Sequence, residues 1–81
     1  SDFDVNSNAI SLYPNPTKNS FAISKDAAQV EIYSVTGQLV KTYNSVITNE
    51  QLDITALETG LYIVKIKDIN GTSQSKKLIK E

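Results

Sequence analysis

Carboxylates are the main side chains in this sequence that could do acid–base chemistry at neutral pH. The 81 residues include nine Asp or Glu but no His and no Cys. This removes the usual general base, the imidazole-dependent nucleophilic triads, and metal sites ligated by nitrogen or sulfur. No two carboxylates fall on adjacent inward positions of a recognisable cleft, and all lie beside turn or edge signals. We therefore expect solvated surface carboxylates and no catalytic residue.

Two acidic segments have some likeness to cation-binding loops. Asp2-Phe3-Asp4 and Asp68-Ile69-Asn70-Gly71 each group several oxygen atoms, but neither has the spaced ligands and terminal Glu of an EF-hand. Asn70-Gly71-Thr72 also matches the glycan acceptor pattern, although a turn needs Asn-Gly in any case. Turn chemistry explains these residues, and we expect no metal site and no cofactor.

The charge distribution argues against nucleic-acid and membrane partners. Net charge is −1, there is no Arg or Trp to grip phosphates or stack on bases, and no apolar run approaches the ~18 residues that cross a bilayer. The last quarter of the sequence is nevertheless basic, because five of the eight Lys lie in residues 61–81. Those lysines could prevent edge-to-edge aggregation of a terminal strand or form a docking strip for an acidic partner, and both interpretations stay open.

The elements that must position these side chains are strands. A chain of this length forms one domain, and apolar and polar residues alternate in short bursts separated by Asn, Ser, Gly and Pro. The predicted strands are Ala9–Tyr13, Ser20–Ser24, Val30–Tyr33, Leu39–Tyr43, Gln51–Ile54, Leu61–Asp68 and Gln74–Ile79. Seven strands at about ten-residue spacing predict an all-β fold, a seven-stranded antiparallel sandwich. Residues 1–8, with only Phe3 and Val5 to bury, are expected to form a flexible linker.

Turn residues predict two hairpins. Ser34-Val35-Thr36-Gly37 begins with a type I turn former and ends with a Gly suited to a left-handed bulge. If Ser34 faces Gln38, then Ile32 faces Val40 and Glu31 faces Lys41, which places one apolar and one opposite-charge pair across the strands.

The second hairpin repeats this chemistry at Asp68-Ile69-Asn70-Gly71. A bulged turn sets Tyr62 opposite Leu78 and Val64 opposite Lys76, whereas a two-residue turn would oppose Lys65 to Lys76. Gly60 allows a positive φ before the strand that begins at Leu61. That strand is apolar on both faces near its start, and we expect it to be central.

The tyrosines offer a second kind of surface. Four tyrosines could in principle line a sugar-binding face. Tyr62 is expected in the core, and Tyr33 and Tyr43 are expected to shield a sheet face. An exposed line of Tyr13, Tyr33 and Tyr43 would favour glycan binding.

The order of motifs resembles a known family. The relevant segments are Tyr13-Pro14-Asn15-Pro16 with Phe21 and Ile23, Val30 to Val40 with Gly37, Leu52-Asp53-Ile54 with Leu57, Gly60 to Ile66, and Lys76-Lys77-Leu78-Ile79-Lys80. Over residues 9–81 this ordered set closely resembles the type A C-terminal sorting domain of the type IX (Por) secretion system. Many members carry Gly shortly after Pro-x-Pro, where this chain has Lys18-Asn19.

The resemblance implies a fold, a function and partners. It implies an immunoglobulin-like β-sandwich that follows a cargo domain and directs it across the outer membrane, passing through the periplasm to the cell surface or the medium. Its partners would be the secretion machinery, a sortase-like cysteine protease that removes the domain, and the N-terminal cargo; the domain itself would catalyse nothing. Recognition would draw on Pro14, Asn15, Pro16, Gly37, Gly60, Lys76, Lys77, Leu78, Ile79 and Lys80. We assign Pro-x-Pro and the glycines mostly to shape and the terminal strand to contact.

One alternative function remains beside this one. An accessory β-sandwich module of a secreted protein would bind glycan or a neighbouring domain without directing export. An enzyme is a distant third hypothesis, because carboxylate catalysis needs a desolvated cleft that a small sandwich hardly encloses.

Overall fold

The protein is a two-layer β-sandwich. A computed structural model describes residues 10–14 and 16–81, and within those ranges it has no helix and therefore none able to span a membrane. The strands are β1 (Leu12–Tyr13), β2 (Ser20–Ile23), β3 (Ala27–Ser34), β4 (Leu39–Val46), β5 (Leu52–Asp53), β6 (Gly60–Asp68) and β7 (Ser73–Lys80). They form a three-stranded sheet in the order β1-β2-β5 and a four-stranded sheet in the order β4-β3-β6-β7. The predicted fold class, a seven-stranded antiparallel immunoglobulin-like β-sandwich, is confirmed.

The core lies between the two sheets. Buried and more exposed residues alternate along β6 and β7, as the pleat requires, and the largest buried side chains come from both layers. The cluster comprises Ile10, Phe21, Ile23, Ala27, Val30, Ile32, Val46, Leu52, Ile54, Tyr62, Val64, Ile66 and Leu78, with Leu12, Tyr43 and Leu57 packed against it. Tyr62 is buried as predicted, and its hydroxyl donates to the Glu58 carbonyl at 2.7 Å.

The β6–β7 hairpin has the predicted register. Tyr62 pairs with Leu78 and Val64 with Lys76, and Lys65 lies opposite Ser75. Asp68 holds the turn together, since its Oδ1 accepts the backbone N–H groups of Asn70 and Thr72, each at 2.9 Å. β6 lies between β3 and β7, which confirms that it is a central strand.

The β3–β4 register is only partly as predicted. Ser34 N–H donates to the Gln38 carbonyl at 2.8 Å, and Gly37 has φ +90°. Beyond the turn, however, Ile32 pairs with Lys41 instead of Val40, and Glu31 pairs with Thr42 instead of Lys41. A bulge shifts the pairing by one residue between Tyr33 and Ile32. β4 is an edge strand, where an extra unpaired residue disrupts a ladder on one side only.

The beginning of the sequence is described only from Ile10 onward. Ile10 is buried and Leu12 packs against the core, as expected for one face of the first strand. The strand ends before Pro14, which follows Tyr13 through a cis peptide bond. The predicted linker, residues 1–8, lies outside the described residues, and so does Asn15.

Candidate recognition site

Several of the predicted recognition residues lie at the same end of the sandwich. Gly60, the first residue of β6, pairs with Lys80, the last residue of β7. Ser34 pairs with Tyr62, so the turn that holds Gly37 extends beyond β3 in the same direction. We call this end, marked by Pro16, Gly37, Gly60 and Lys80, the motif end.

Thr17 fastens the proline segment to the motif end. Its N–H donates to the Ile79 carbonyl at 2.8 Å, and its carbonyl accepts the Glu81 N–H at 2.7 Å, forming a parallel bridge with Lys80. The Thr17 hydroxyl also donates to the Ser20 carbonyl. Thr17 is 2% exposed. These contacts fix Pro16 beside the end of β7, although no local sequence signal linked the two segments.

The two glycines at this end serve backbone shape. Gly37 has φ +90° and Gly60 has φ +154°, values that side-chain-bearing residues rarely adopt. A Cβ at either position would meet no atom within 4 Å. A side chain at Gly37 or Gly60 would therefore not clash with its surroundings. Glycine is required at these positions because of the positive φ angle.

The terminal strand divides its predicted contact residues between two faces. Leu78 is fully buried, and alternation places Lys76, half-buried, and Lys80 on the same face. Lys80 is 8% exposed, and its Nζ donates to the Glu81 carbonyl at 3.2 Å. Lys77 and Ile79 lie on the opposite, outer face, and both are exposed. The basic residues of β7 therefore do not form one continuous strip.

A surface cleft adjoins the proline segment. It has a volume of about 450 Å³, and its lining includes Pro14, Pro16, Lys18, Gln51 and Glu81. Cations and anions both contribute to the lining, so the cleft has no strong preference for a charged ligand. Its position at the motif end makes it part of the same surface as the terminal strand.

A polar cluster closes one side of the sandwich between β4 and β5. The Tyr43 hydroxyl donates to the Asp53 carbonyl at 2.6 Å, and Lys41 Nζ lies 5.5 Å from the centre of the Tyr43 ring. Partial burial, with a smaller contribution from the Asp53 charge, raises the pKa of Tyr43 to about 12. Hydrogen bonds from the Thr55 N–H and hydroxyl, with the Lys41 charge adding a little, hold the pKa of Asp53 below its usual value. Tyr43 is therefore protonated and Asp53 ionised at neutral pH, and the hydrogen bond between them joins β4 to β5.

The tyrosines do not form the line that glycan binding would favour. Tyr13 lies in the three-stranded sheet, whereas Tyr33 and Tyr43 belong to the four-stranded sheet. Tyr33 shares the outer face with Glu31, to which its hydroxyl donates at 3.1 Å. Tyr43 pairs with inward-facing Val30 and packs against the core.

No acid–base or metal-binding arrangement stands out in residues 10–14 and 16–81. No group of three or more Asp or Glu side chains in those ranges could hold a metal ion. The carboxylate of Asp26 is used in structure, since it accepts the Thr48 N–H and hydroxyl at 2.8 Å each. These hydrogen bonds lower the pKa of Asp26, which keeps it ionised.

Comparison with known families identifies the sequence pattern. The family described as "Secretion system C-terminal sorting domain" matches residues 11–81, which include every described strand. No curated protein matches the chain. Domains of this family are sorting signals of type IX secretion, non-catalytic tags that interact with the secretion machinery and lead to export to the cell surface or extracellular space. On this match and on its seven-stranded sandwich, the chain belongs to the family of type IX secretion system C-terminal sorting domains.

Proposed function

We propose that the type IX machinery recognises this domain in its folded form, at the motif end. The observation that supports this is the convergence of Pro16, Gly37, Gly60 and Lys80, which are far apart in sequence. A receptor that read an unfolded tail would have access to only one of these segments at a time. Recognition of the folded end allows a single contact surface to include all four.

Within this surface we assign contact and support to different residues. Lys77 and Ile79 are exposed and can touch a partner, whereas Leu78 is buried and holds the strand in place. Gly37 and Gly60 set the backbone path around them. Pro14, Asn15 and Pro16 are proposed to shape the neighbouring loop, and Lys76 and Lys80 to support β7 from its inner face.

The proposed role as a sorting signal that is later cleaved off implies the remaining steps of export. Residues 9–81 form the signal, and residues 1–8 join it to an upstream cargo domain. The parent protein crosses the periplasm, the machinery moves it across the outer membrane, and a sortase-like cysteine protease then separates cargo from signal. Cleavage would fall before the sandwich, so that the folded domain is released intact.

The test is transport of a reporter by the complete sequence. Residues 1–81 are fused behind a periplasmically exported reporter, with one tag on the reporter and another after Glu81. We expect surface or medium reporter only in cells with intact type IX machinery, and loss of the second tag only when the protease retains its active-site cysteine. Periplasmic retention of the reporter in competent cells would refute the sorting function. If the exported reporter still carried both tags, the sorting function would stand and only the proposed removal of the domain by the protease would be refuted.

Deletion of Lys76–Glu81 is a poor test of recognition. The deletion removes Leu78, which is fully buried, together with five of the β6–β7 pairs. Loss of export would then follow from unfolding as readily as from loss of contact. Single substitutions at exposed positions, combined with a measurement of thermal stability, separate the two effects.

A further inference from the structure

The outer face of the four-stranded sheet has an apolar half and a polar half. The apolar half lies at the motif end, and we define the apolar patch as Tyr33, Leu39, Leu61, Ile63 and Ile79. Tyr33 pairs with Leu39 on one side and with Ile63 on the other, and Leu61 pairs with Ile79. The patch is therefore continuous across all four strands.

The apolar patch lies outside the buried core. The core lies on the other face of the sheet, and Leu39, Leu61 and Ile79 remain 47%, 42% and 46% exposed. A sheet face open to water normally carries polar residues, in alternation with the buried ones. β6 follows that rule from Lys65 onward but breaks it at Leu61 and Ile63. Contiguous apolar surface of this kind is typical of an interaction site.

The charges on the same face indicate the chemistry of the partner. Lys65, Lys67 and Lys77 lie on this face, against one acidic residue, Glu31, among its described positions. Glu31 pairs with Lys65, and its carboxylate also accepts the Tyr33 hydroxyl. Lys77 pairs with Ile63 and so borders the patch directly. The face is thus locally basic, although the whole chain has a net charge of −1.

We propose that the apolar patch, with Lys77 at its border, is a docking surface for a protein whose contact region is apolar and edged with carboxylates. The inference rests on the proposed function, and the partner is a component of the export machinery. Apolar contact supplies binding free energy, while opposite charge at the rim guides approach and orientation. The patch adjoins Gly37, Gly60 and Lys80, so this partner would contact the motif end as well.

A protein fits this surface better than an anionic membrane does. The apolar side chains project from paired strands and do not belong to a protruding loop that could insert into lipid. Glu31 lies within the face and next to Tyr33, where it would repel anionic headgroups. A protein partner can place its carboxylates beside Lys77 and away from Glu31.

The experiment compares matched surface substitutions in the reporter fusion. The test variant is L61S/I79S. The control is I47S/I69S, which likewise replaces two aliphatic side chains with Ser, at positions that are 61% and 72% exposed and lie at the opposite end of the sandwich. Because all four side chains are exposed, we expect both purified variants to melt within a few degrees of the wild type. We expect surface reporter to fall at least tenfold for the test variant and less than twofold for the control.

A second pair of variants tests the charge at the border. K77E should reduce export severalfold, whereas K67E should have little effect, because Lys67 is four residues, or about 14 Å, further along the sheet than Ile63. A photo-crosslinking residue replacing Leu61 should link to an outer-membrane component of the type IX machinery, and one replacing Ile69 should not. Equal export of K77E and K67E would overturn the proposed charge complementarity.

The outcomes distinguish this inference from the proposed function. Failure of the wild-type fusion to reach the surface refutes the sorting function itself. Wild-type export that L61S/I79S leaves unchanged refutes the docking surface alone. Two further results would overturn the choice of partner: concentration-dependent dimerisation that L61S/I79S abolishes would assign the patch to a second copy, and flotation with phosphatidylglycerol vesicles that depends on the patch would assign it to lipid.

Discussion

Leu78 and Ile79 are neighbours on β7 whose side chains lie on opposite faces of the sheet, so truncating each one to Ala separates folding from surface recognition. Leu78 is fully buried and pairs with Tyr62, whereas Ile79 is 46% exposed on the outer face. Leu78→Ala removes buried methyl groups and leaves a cavity. We therefore expect Leu78→Ala to reduce the free energy of unfolding strongly, and Ile79→Ala to change it little.

The magnitudes follow from burial. Truncating a fully buried Leu costs about 3 kcal/mol, while a surface substitution such as Ile79→Ala costs about 0.5 kcal/mol. A domain of 81 residues has a total stability of about 4–12 kcal/mol. The cost at Leu78 is therefore a large part of the whole, and it should lower the melting temperature by about 12–24 °C. Ile79→Ala should lower the melting temperature by no more than about 4 °C.

The assay is urea and thermal unfolding of the purified domain, followed by circular dichroism, with reporter export measured in parallel. Leu78→Ala should lose stability and export together. Ile79→Ala should retain stability and lose export in part. If Ile79→Ala destabilised the domain as much as Leu78→Ala, or if Leu78→Ala cost less than about 1 kcal/mol, the assignment of inner and outer faces on β7 would be wrong.

Two further predictions concern polar contacts. Tyr43→Phe should cost about 1 kcal/mol in urea unfolding, because it removes the hydrogen bond to the Asp53 carbonyl; unchanged stability would show that this bond contributes nothing. The carboxyl groups of Asp26 and Asp53 have lowered pKa values in the folded state, so their stabilising contribution is present above the normal value of 3.8 and is lost as pH falls through the lowered values. Asp26→Asn should flatten the decrease in stability that occurs as pH falls below 3.8, and an unaltered slope would contradict the role of the Thr48 hydrogen bonds.

The hairpins could be predicted because turn chemistry and charge acted together. Asp68 and Gly71 indicated the turn of the second hairpin. A two-residue turn would have placed Lys65 opposite Lys76, so like-charge repulsion argued for the bulged register. The structure confirms the bulged register, in which Lys65 pairs with Ser75. The predicted register of the β3–β4 hairpin was wrong beyond Tyr33, because it assumed that each residue of β3 pairs with one residue of β4. β4 has one extra residue at this point, and no feature of the sequence indicates it. An edge strand tolerates such a bulge at low cost, so neither composition nor alternation reveals it.

Long-range contacts were harder to predict than local ones. Thr17 bridges to Lys80, but a single threonine after a proline has no property that specifies a partner so distant in sequence. The apolar patch was visible in part, since the outward-facing Leu61 and Ile63 led us to expect a strand covered on both faces. The structure confirms the central position of β6 and leaves its outer face open among the described residues. The distribution of the terminal lysines over two faces follows directly from β alternation.

The bridge between Thr17 and Lys80 also bears on when this domain can fold. β7 supplies Leu78 to the core, and the Ile79 carbonyl and Glu81 amide are needed to fasten the Thr17 segment. A chain that emerges progressively from a ribosome or a narrow translocation pore must therefore release β7 and Glu81 before the sandwich can close. Until then β6 lacks one neighbour and the proline segment lacks its anchor. Closure of the sandwich is thus coupled to the release of β7, so the motif end takes shape only after every other described strand has emerged.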